Sequence, residues 1–550
     1  MTNLRATSAV ALALLTVFAA PAKSQNAPII HDGEYDFLRA QYGDVWDAQD
    51  AEIDARLKEI RDANGGDRPN ILYMLIDDVS FGQMGNRALN YVTGFDTPNI
   101  NNFAAEGMSM MRMYTEPSCT PTRAAFLTGR HPVRTGLKEV KVALIGEGLS
   151  GDEVTLAEIL GEAGYNTAHV GKWHQGDIEE AYPHNQGFDW AAFPLHQQAQ
   201  LSLMTREALQ ANNMVGWHST GQSNQFQMDD RFKPFGLVTG VEAEVGGLAR
   251  EVNFEAGEEW TQAHYDEMNA RYQRQALEQL ERLAGQDEPF FLNYWPLYPI
   301  NFVYPEQSRS RNGGFMADKV EVVDDYFGEL LAKLEDLGIA DNTIVVFMAD
   351  NGMFKQYQPN SGLSELVYRG GKLDHLEGGV RVDAFIRWPS GIEAGSYAGD
   401  IFHVSDFFTT LANIAGATEF IPRDRIIDGL NQTALLLEGE GNGRRDYVYI
   451  YEGTLLRSVV KGNHKMHLPP PGVPGAAAPV FNLLHDPREE RALVGTSLWS
   501  GASFQDMVKR HEKRITEFPH LPLGKDEPYG GIENLRPESE RARDVFMSWQ

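Results

Sequence analysis

The chain has 550 residues, a formal net charge of −29 and a single cysteine. That acidity excludes nucleic acid and anionic membrane surfaces as partners, and one thiol excludes an internal disulfide framework. An anion handled by such a protein has to be met by cations gathered locally.

Residues 1–24 read as a secretory signal peptide: Arg5 gives the positive region, Ala9 to Ala20 the apolar run, and Ala22-Lys23-Ser24 the cleavage site. The run is too short to span a bilayer, and no later stretch is long and apolar enough to do so. A periplasmic or secreted protein is expected. Residues 25–68 form a helical N-terminal extension, in which Ile53, Leu57 and Ile60 recur at helical spacing until Gly65-Gly66 breaks the pattern.

Asn70 to Ile76 is a continuous apolar run, suited to a strand buried on both faces of a parallel sheet, and it ends in Asp77-Asp78. Ligands of open α/β sheets bind at that end of the strands. Thr343 to Ala349 repeats the arrangement and runs into Asp350-Asn351-Gly352. Together the two strand ends offer three carboxylates and one amide, an all-oxygen set that points to Ca²⁺ or Mg²⁺.

Between them lies Glu116-Pro-Ser-Cys-Thr-Pro-Thr-Arg123, followed by Ala-Ala-Phe-Leu-Thr-Gly-Arg130. Pro121 suits the first position of a helix, with Thr120 as its N-cap and Gly129 just past its end. Cys119 then sits just before a helix N-terminus, where free N–H groups favour an anion, and Arg123 adds a fork-shaped donor one turn on. The lone thiol is either incidental or reactive.

Tyr165 to Gly171 predicts a third strand, after which Lys172 and His174 project together while Trp173 points away. Residues 190–288 read mainly as long loops, with a helix from Tyr265 to Leu283 and with Trp217, Phe226 and Trp260 as aromatics able to line a pocket or to pack. Pro289 to Trp295 is a further strand and Val382 to Trp388 another. From Tyr447 the pattern becomes short alternating strands, which favour a small antiparallel sheet.

Cys-x-Pro-x-Arg with its Ala-Ala-Phe-Leu-Thr-Gly-Arg sequel resembles the signature of the formylglycine-dependent sulfatases. Asp77-Asp78, Gly-Lys-Trp-His174, Asp350-Asn351-Gly352 and the segment Val367 to Lys372 follow in that family's order. The resemblance implies an α/β fold with a large, mostly parallel central sheet flanked by helices and a small C-terminal antiparallel-sheet subdomain. It divides the chain into a catalytic domain over 69–440 and a small α+β subdomain with its tail over 441–550. It further implies that a formylglycine-generating enzyme oxidises Cys119 and that the formylglycine joins Asp77, Asp78, Asp350 and Asn351 around one divalent ion. Arg123, Lys172 and Lys372 would hold sulfate oxygens, and His174 would take a proton from the formylglycine hydrate as sulfate leaves. One departure stands out. Where sulfatases carry a histidine after the strand ending at Trp295, this chain has Pro-Leu-Tyr298-Pro-Ile-Asn301, so Tyr298, Asn301 or the downstream His375 are the candidates to cover for it. The expected activity is hydrolysis of a small-molecule or carbohydrate sulfate monoester. The alternatives are a phosphonate monoester or phosphodiester hydrolase on the same scaffold, and a catalytically silent binder of sulfated glycans.

Overall fold

The structure, a computed structural model, describes residues 27–141, 146–194, 240–252, 262–300, 314–354, 367–469, 478–493, 497–537, 539–540 and 543–544. The signal peptide, Trp217, Phe226, Trp260 and Asn301 lie outside the described residues.

Strand formation follows the apolar runs. The strands in chain order are β1 (Asn70–Ile76), β2 (Met108–Tyr114), β3 (Glu147–Gly148), β4 (Asn166–Gly171), β5 (Trp190–Pro194), β6 (Gly240–Glu244), β7 (Ala249–Val252), β8 (Phe290–Trp295) and β9 (Thr343–Ala349). They continue with β10 (Ala384–Arg387), β11 (Ser396–His403), β12 (Tyr447–Glu452), β13 (Leu455–Lys461), β14 (His464–His467), β15 (Val480–Asn482), β16 (Gly524–Lys525) and β17 (Ile532–Glu533). Eleven of them make one mixed sheet in the order β11-β2-β10-β9-β1-β8-β4-β5-β6-β7-β17. Its centre, β9-β1-β8-β4-β5, is parallel throughout, whereas β10 runs antiparallel to both of its neighbours. A separate four-stranded antiparallel sheet is formed by β12 to β15, and β3 pairs with β16. The expected fold class is therefore the observed one.

Alternation along β1 assigns a helical layer to each face. Tyr73 stacks on Phe126 of the helix Cys119–Thr128 at 3.8 Å and meets Phe407 of the helix Asp406–Ala415 edge-on. Phe347, in register with Met74 on the other face, packs against Phe327 of the helix Gly314–Asp336, which in turn meets Phe103 of the helix Pro98–Glu106. With both faces covered, β1, β8 and β9 are buried almost end to end, which is why they read as unbroken apolar runs.

The N-terminal helix spans Gly33–Ala63, capped by the Asp32 carboxylate on the Glu34 N–H at 3.2 Å. Ile53, Leu57 and Ile60 are buried as their spacing predicts. Its first turns join the small sheet and the helix Ser497–Glu517 in one apolar cluster containing Leu38, Trp46, Tyr449, Val459 and Phe504. No helix among the described residues is long and apolar enough to cross a membrane.

Candidate active site

Three parallel strands deliver side chains to one place, just beyond their carboxyl ends. The hydrogen-bond ladder runs on past the strands, with Asp350 N donating to Ile76 O at 2.9 Å and Lys172 N to Trp295 O at 2.7 Å. Gly171 permits the second contact: it has φ +96, and a Cβ there would lie 2.1 Å from Trp295 O. The nucleophile candidate arrives on the helix Cys119–Thr128, which closes at Gly129 in the left-handed region, φ 67. Its N-cap is Ser118 rather than the expected Thr120. Pro121 fits two residues further in because the N–H groups of the first turn have no helical acceptor to lose.

The cluster is buried, with Asp77, Asp78, Asp350, Asn351, Cys119, Arg123 and Lys172 each no more than 2% exposed. Arg123 Nη2 lies 2.9 Å from both Asp77 Oδ1 and Asp350 Oδ2. Lys172 Nζ straddles Asp77 at 2.7 and 2.9 Å. Lys372 Nζ straddles Asp78 at 2.8 and 3.0 Å and sits 3.3 Å from Cys119 Sγ. Asn351 Nδ2 donates to Asp78 Oδ1 at 2.6 Å, and the Asp78 N–H to Asp350 Oδ1 at 3.0 Å. Eight of the nine residues that the resemblance assigns to the site thus lie within one connected group, His174 being the ninth.

Three carboxylates face three permanent cations, and the balance is uneven in detail. Burial opposes charge on Asp77, but Lys172 and Arg123 outweigh it and hold its carboxyl well below the usual range. At Asp350 burial is reinforced by the negative Asp77, and the pair pushes its carboxyl well above that range. A cation set between Asp77 and Asp350 would relieve that repulsion. Ligand atoms of Asp77, Cys119 and Asp350 fall within 4.8 Å of one another, and Asn351 Oδ1 is a buried acceptor with no hydrogen-bond partner among the described residues. The donors present therefore fit a hard divalent ion. Burial also raises the Cys119 thiol above its usual value, which makes it a poor nucleophile as a thiol.

The family model described as Sulfatase matches residues 69–417. The chain belongs to the sulfatase family. Over 418 residues it is 32% identical to the N-acetylgalactosamine-6-sulfatase of Mus musculus, spanning 73% of this chain and 72% of that one. Over 473 residues it is 31% identical to the steryl-sulfatase of Rattus norvegicus, spanning 76% and 79%. The crystal structure of the PsFucS1 sulfatase from Pseudoalteromonas sp. superposes with a TM-score of 0.74 at 27% identity, covering 87% of this chain and 96% of that one. The present sulfatase is accordingly a sulfuric ester hydrolase.

The remaining candidates sort differently. His174 does not continue the strand: β4 ends at Gly171, and His174 adopts φ 62, which places its Nε2 2.8 Å from Lys141 O. The histidine still senses the cluster. Burial, then the positive Lys172 and Arg123, keep its imidazole well below the usual value and hence neutral. Tyr298 is turned into the packing, with its hydroxyl on Asp266 and Lys319 Nζ 3.2 Å away. His375 Nδ1 is held by Glu452 Oε1 at 2.6 Å and its ring faces His467. Neither replaces the family's histidine in this structure. Trp295 is a participant that sequence reasoning read only as the end of a strand, since the Arg123 guanidinium stacks 4.7 Å above its ring.

Proposed function

We propose that this sulfatase hydrolyses sulfate monoesters of carbohydrates outside the cytoplasm, in the periplasm or after secretion. Cys119 would be converted by a formylglycine-generating enzyme, and a Ca²⁺ or Mg²⁺ ion would be held by Asp77, Asp78, Asp350 and Asn351. The observation that carries this reading is the position of Cys119 Sγ, which stands where the formylglycine oxygens would be, next to Lys372 and within the carboxylate cluster. The similarity to a protein named for N-acetylgalactosamine 6-sulfate supports a sugar as the organic part.

As its hydrate, formylglycine supplies one hydroxyl to attack sulfur and a second whose deprotonation ejects sulfate. The cation, held by Asp77, Asp78, Asp350 and Asn351, would supply charge neutralisation and a lowered hydroxyl pKa. The chain's own residues do the rest. Arg123 is fixed by Asp77, Asp350 and the Trp295 ring, yet its Nε and Nη1 have no hydrogen-bond partner among the described residues, leaving two buried donors to meet an oxyanion. Lys172, fixed by Asp77, holds a second oxygen as a point charge. Lys372 stays an ammonium: although burial works against its charge, the Asp78 carboxylate beside it raises its pKa well above the usual value. Beside Cys119, it would orient the nucleophile and could donate a proton to the departing alcohol oxygen. Neutral His174 accepts the proton of the second hydroxyl.

Peptide mass spectrometry at Cys119 of protein from its native host should show loss of sulfur. Rates on N-acetylgalactosamine 6-sulfate, an aryl sulfate and an aryl phosphonate should favour the sulfates. Full activity with an intact thiol, or a faster phosphonate reaction, overturns the reading.

A further inference from the structure

Behind the nucleophile helix lies a second cluster that the reaction does not use. Glu116 precedes Cys119 by one helical turn's worth of chain, His131 follows Gly129, and His403 ends β11. All three are buried, with His403 0%, Glu116 1% and His131 1% exposed. We propose that Glu116, His131 and His403 form a second metal site, for a divalent ion of the zinc class, distinct from the hard-ligand cluster at Asp77.

Geometry is the first support. The three ligand atoms fall within 4.8 Å of one another. Glu116 Oε1 is 2.8 Å from His131 Nδ1 and 3.7 Å from His403 Nε2. Bonds of about 2.0–2.2 Å to a tetrahedral ion place donor atoms roughly 3.4 Å apart and two imidazole centroids about 5 Å apart. The His131 and His403 rings are 5.0 Å apart.

The second support is an orphan. His403 Nε2 is fully buried and has no hydrogen-bond partner among the described residues, and Glu116 is the group it faces. Ser405 offers His403 Nδ1 its hydroxyl at 2.8 Å and its N–H at 3.3 Å. The N–H contact meets an Nδ1 lone pair; an ion at Nε2 would move the ring proton to Nδ1, with the Ser405 hydroxyl as its acceptor, and free the Nε2 lone pair for the metal. That is the supporting hydrogen bond a metal-bound histidine ordinarily makes.

Charge is the third. Around the cluster Asp428 pairs with Arg134, Asp32 pairs with Arg134 and His511, and Asp406 pairs with Arg445. With Glu116, four carboxylates therefore face two guanidiniums and the His511 imidazole, so carboxylates outnumber the permanent cations around the cluster. One carboxylate with two imidazoles favours zinc over Ca²⁺ or Mg²⁺. An ion there would join the segment ahead of Cys119, the turn behind its helix and the end of β11, fixing both ends of the nucleophile's helix. The competing arrangement is a protonated His131 paired with Glu116 and no metal.

The test uses the full-length chain, stripped with a chelator and reloaded with Ca²⁺ and Zn²⁺ together. Elemental analysis should return one tightly held zinc per chain, and zinc X-ray absorption should show a shell containing two imidazoles. Co²⁺ in its place should give tetrahedral d–d bands. His403→Gln should lose that zinc and its bands while keeping the hard cation, and Asp350→Asn should do the reverse. Wild-type protein that holds no stoichiometric zinc, or whose zinc shell lacks two imidazoles, overturns the proposal without reference to any variant. So does zinc retained undiminished by folded His403→Gln.

Discussion

Two strands flank β1 in parallel and in register, and they end differently. β9 runs out into Asp350 and Asn351, whose side chains turn to the cations and carboxylates of the cluster. β8 runs out into Pro296-Leu297-Tyr298, whose hydroxyl turns to Asp266 and Lys319 among the helices Gln262–Ala284 and Gly314–Asp336. Both strands are equally buried, so burial and sheet position do not decide which end does chemistry. The few residues beyond the strand do. At β9 the decisive companion is Gly352: a Cβ there would lie 1.7 Å from Gly378 O, so only glycine lets this turn lie against the segment that follows Lys372.

The comparison breaks if the β9 end can be altered without consequence. Asp350→Asn removes a carboxylate that meets Arg123, and kcat should fall on the order of 10³-fold; steady-state rates at saturating Ca²⁺ check it. Gly352→Ala forces the two segments apart and should cost about 3 kcal/mol of stability together with most of the activity, read by thermal melts and kcat. His174→Gln should lower kcat by about 10²-fold. Because the folded imidazole titrates below 6.5, its neutral form persists as the pH falls through 6.5. The wild-type acid limb should therefore lie below that pH and be absent from the variant's profile. The same sign governs stability: the contribution of the neutral ring is present above pH 6.5 and is lost as the pH falls below it. Tyr298→Phe probes the β8 end. It should leave kcat within about twofold and cost about 1 kcal/mol through the lost Asp266 contact.

The same contrast explains what the sequence disclosed. β1 and β9 were legible to the residue because a strand covered on both faces has to be apolar throughout, and the aspartates at their ends are conspicuous against that run. Cys119, Arg123 and Pro121 announce themselves within one helical turn. What was hidden depends on contacts between distant segments. That β10 inserts antiparallel between β2 and β9 is decided by packing, not by its own four residues. His174 read as a strand residue alternating with Lys172, whereas it stands beyond the end of β4 in the left-handed region, which no local pattern requires. Glu116, His131 and His403 come from three segments whose meeting no periodicity records. Tyr298 could be placed near the site from sequence, but not turned away from it.

One of the two edge strands of the main sheet, β17, comes from the tail and pairs in parallel with β7 at Ala249 and Arg250. Until the ribosome has delivered that tail, β7 presents unpaired amides and carbonyls to any passing strand. Recombinant versions trimmed before Ile532, however complete their chemistry, would carry that adhesive rim permanently.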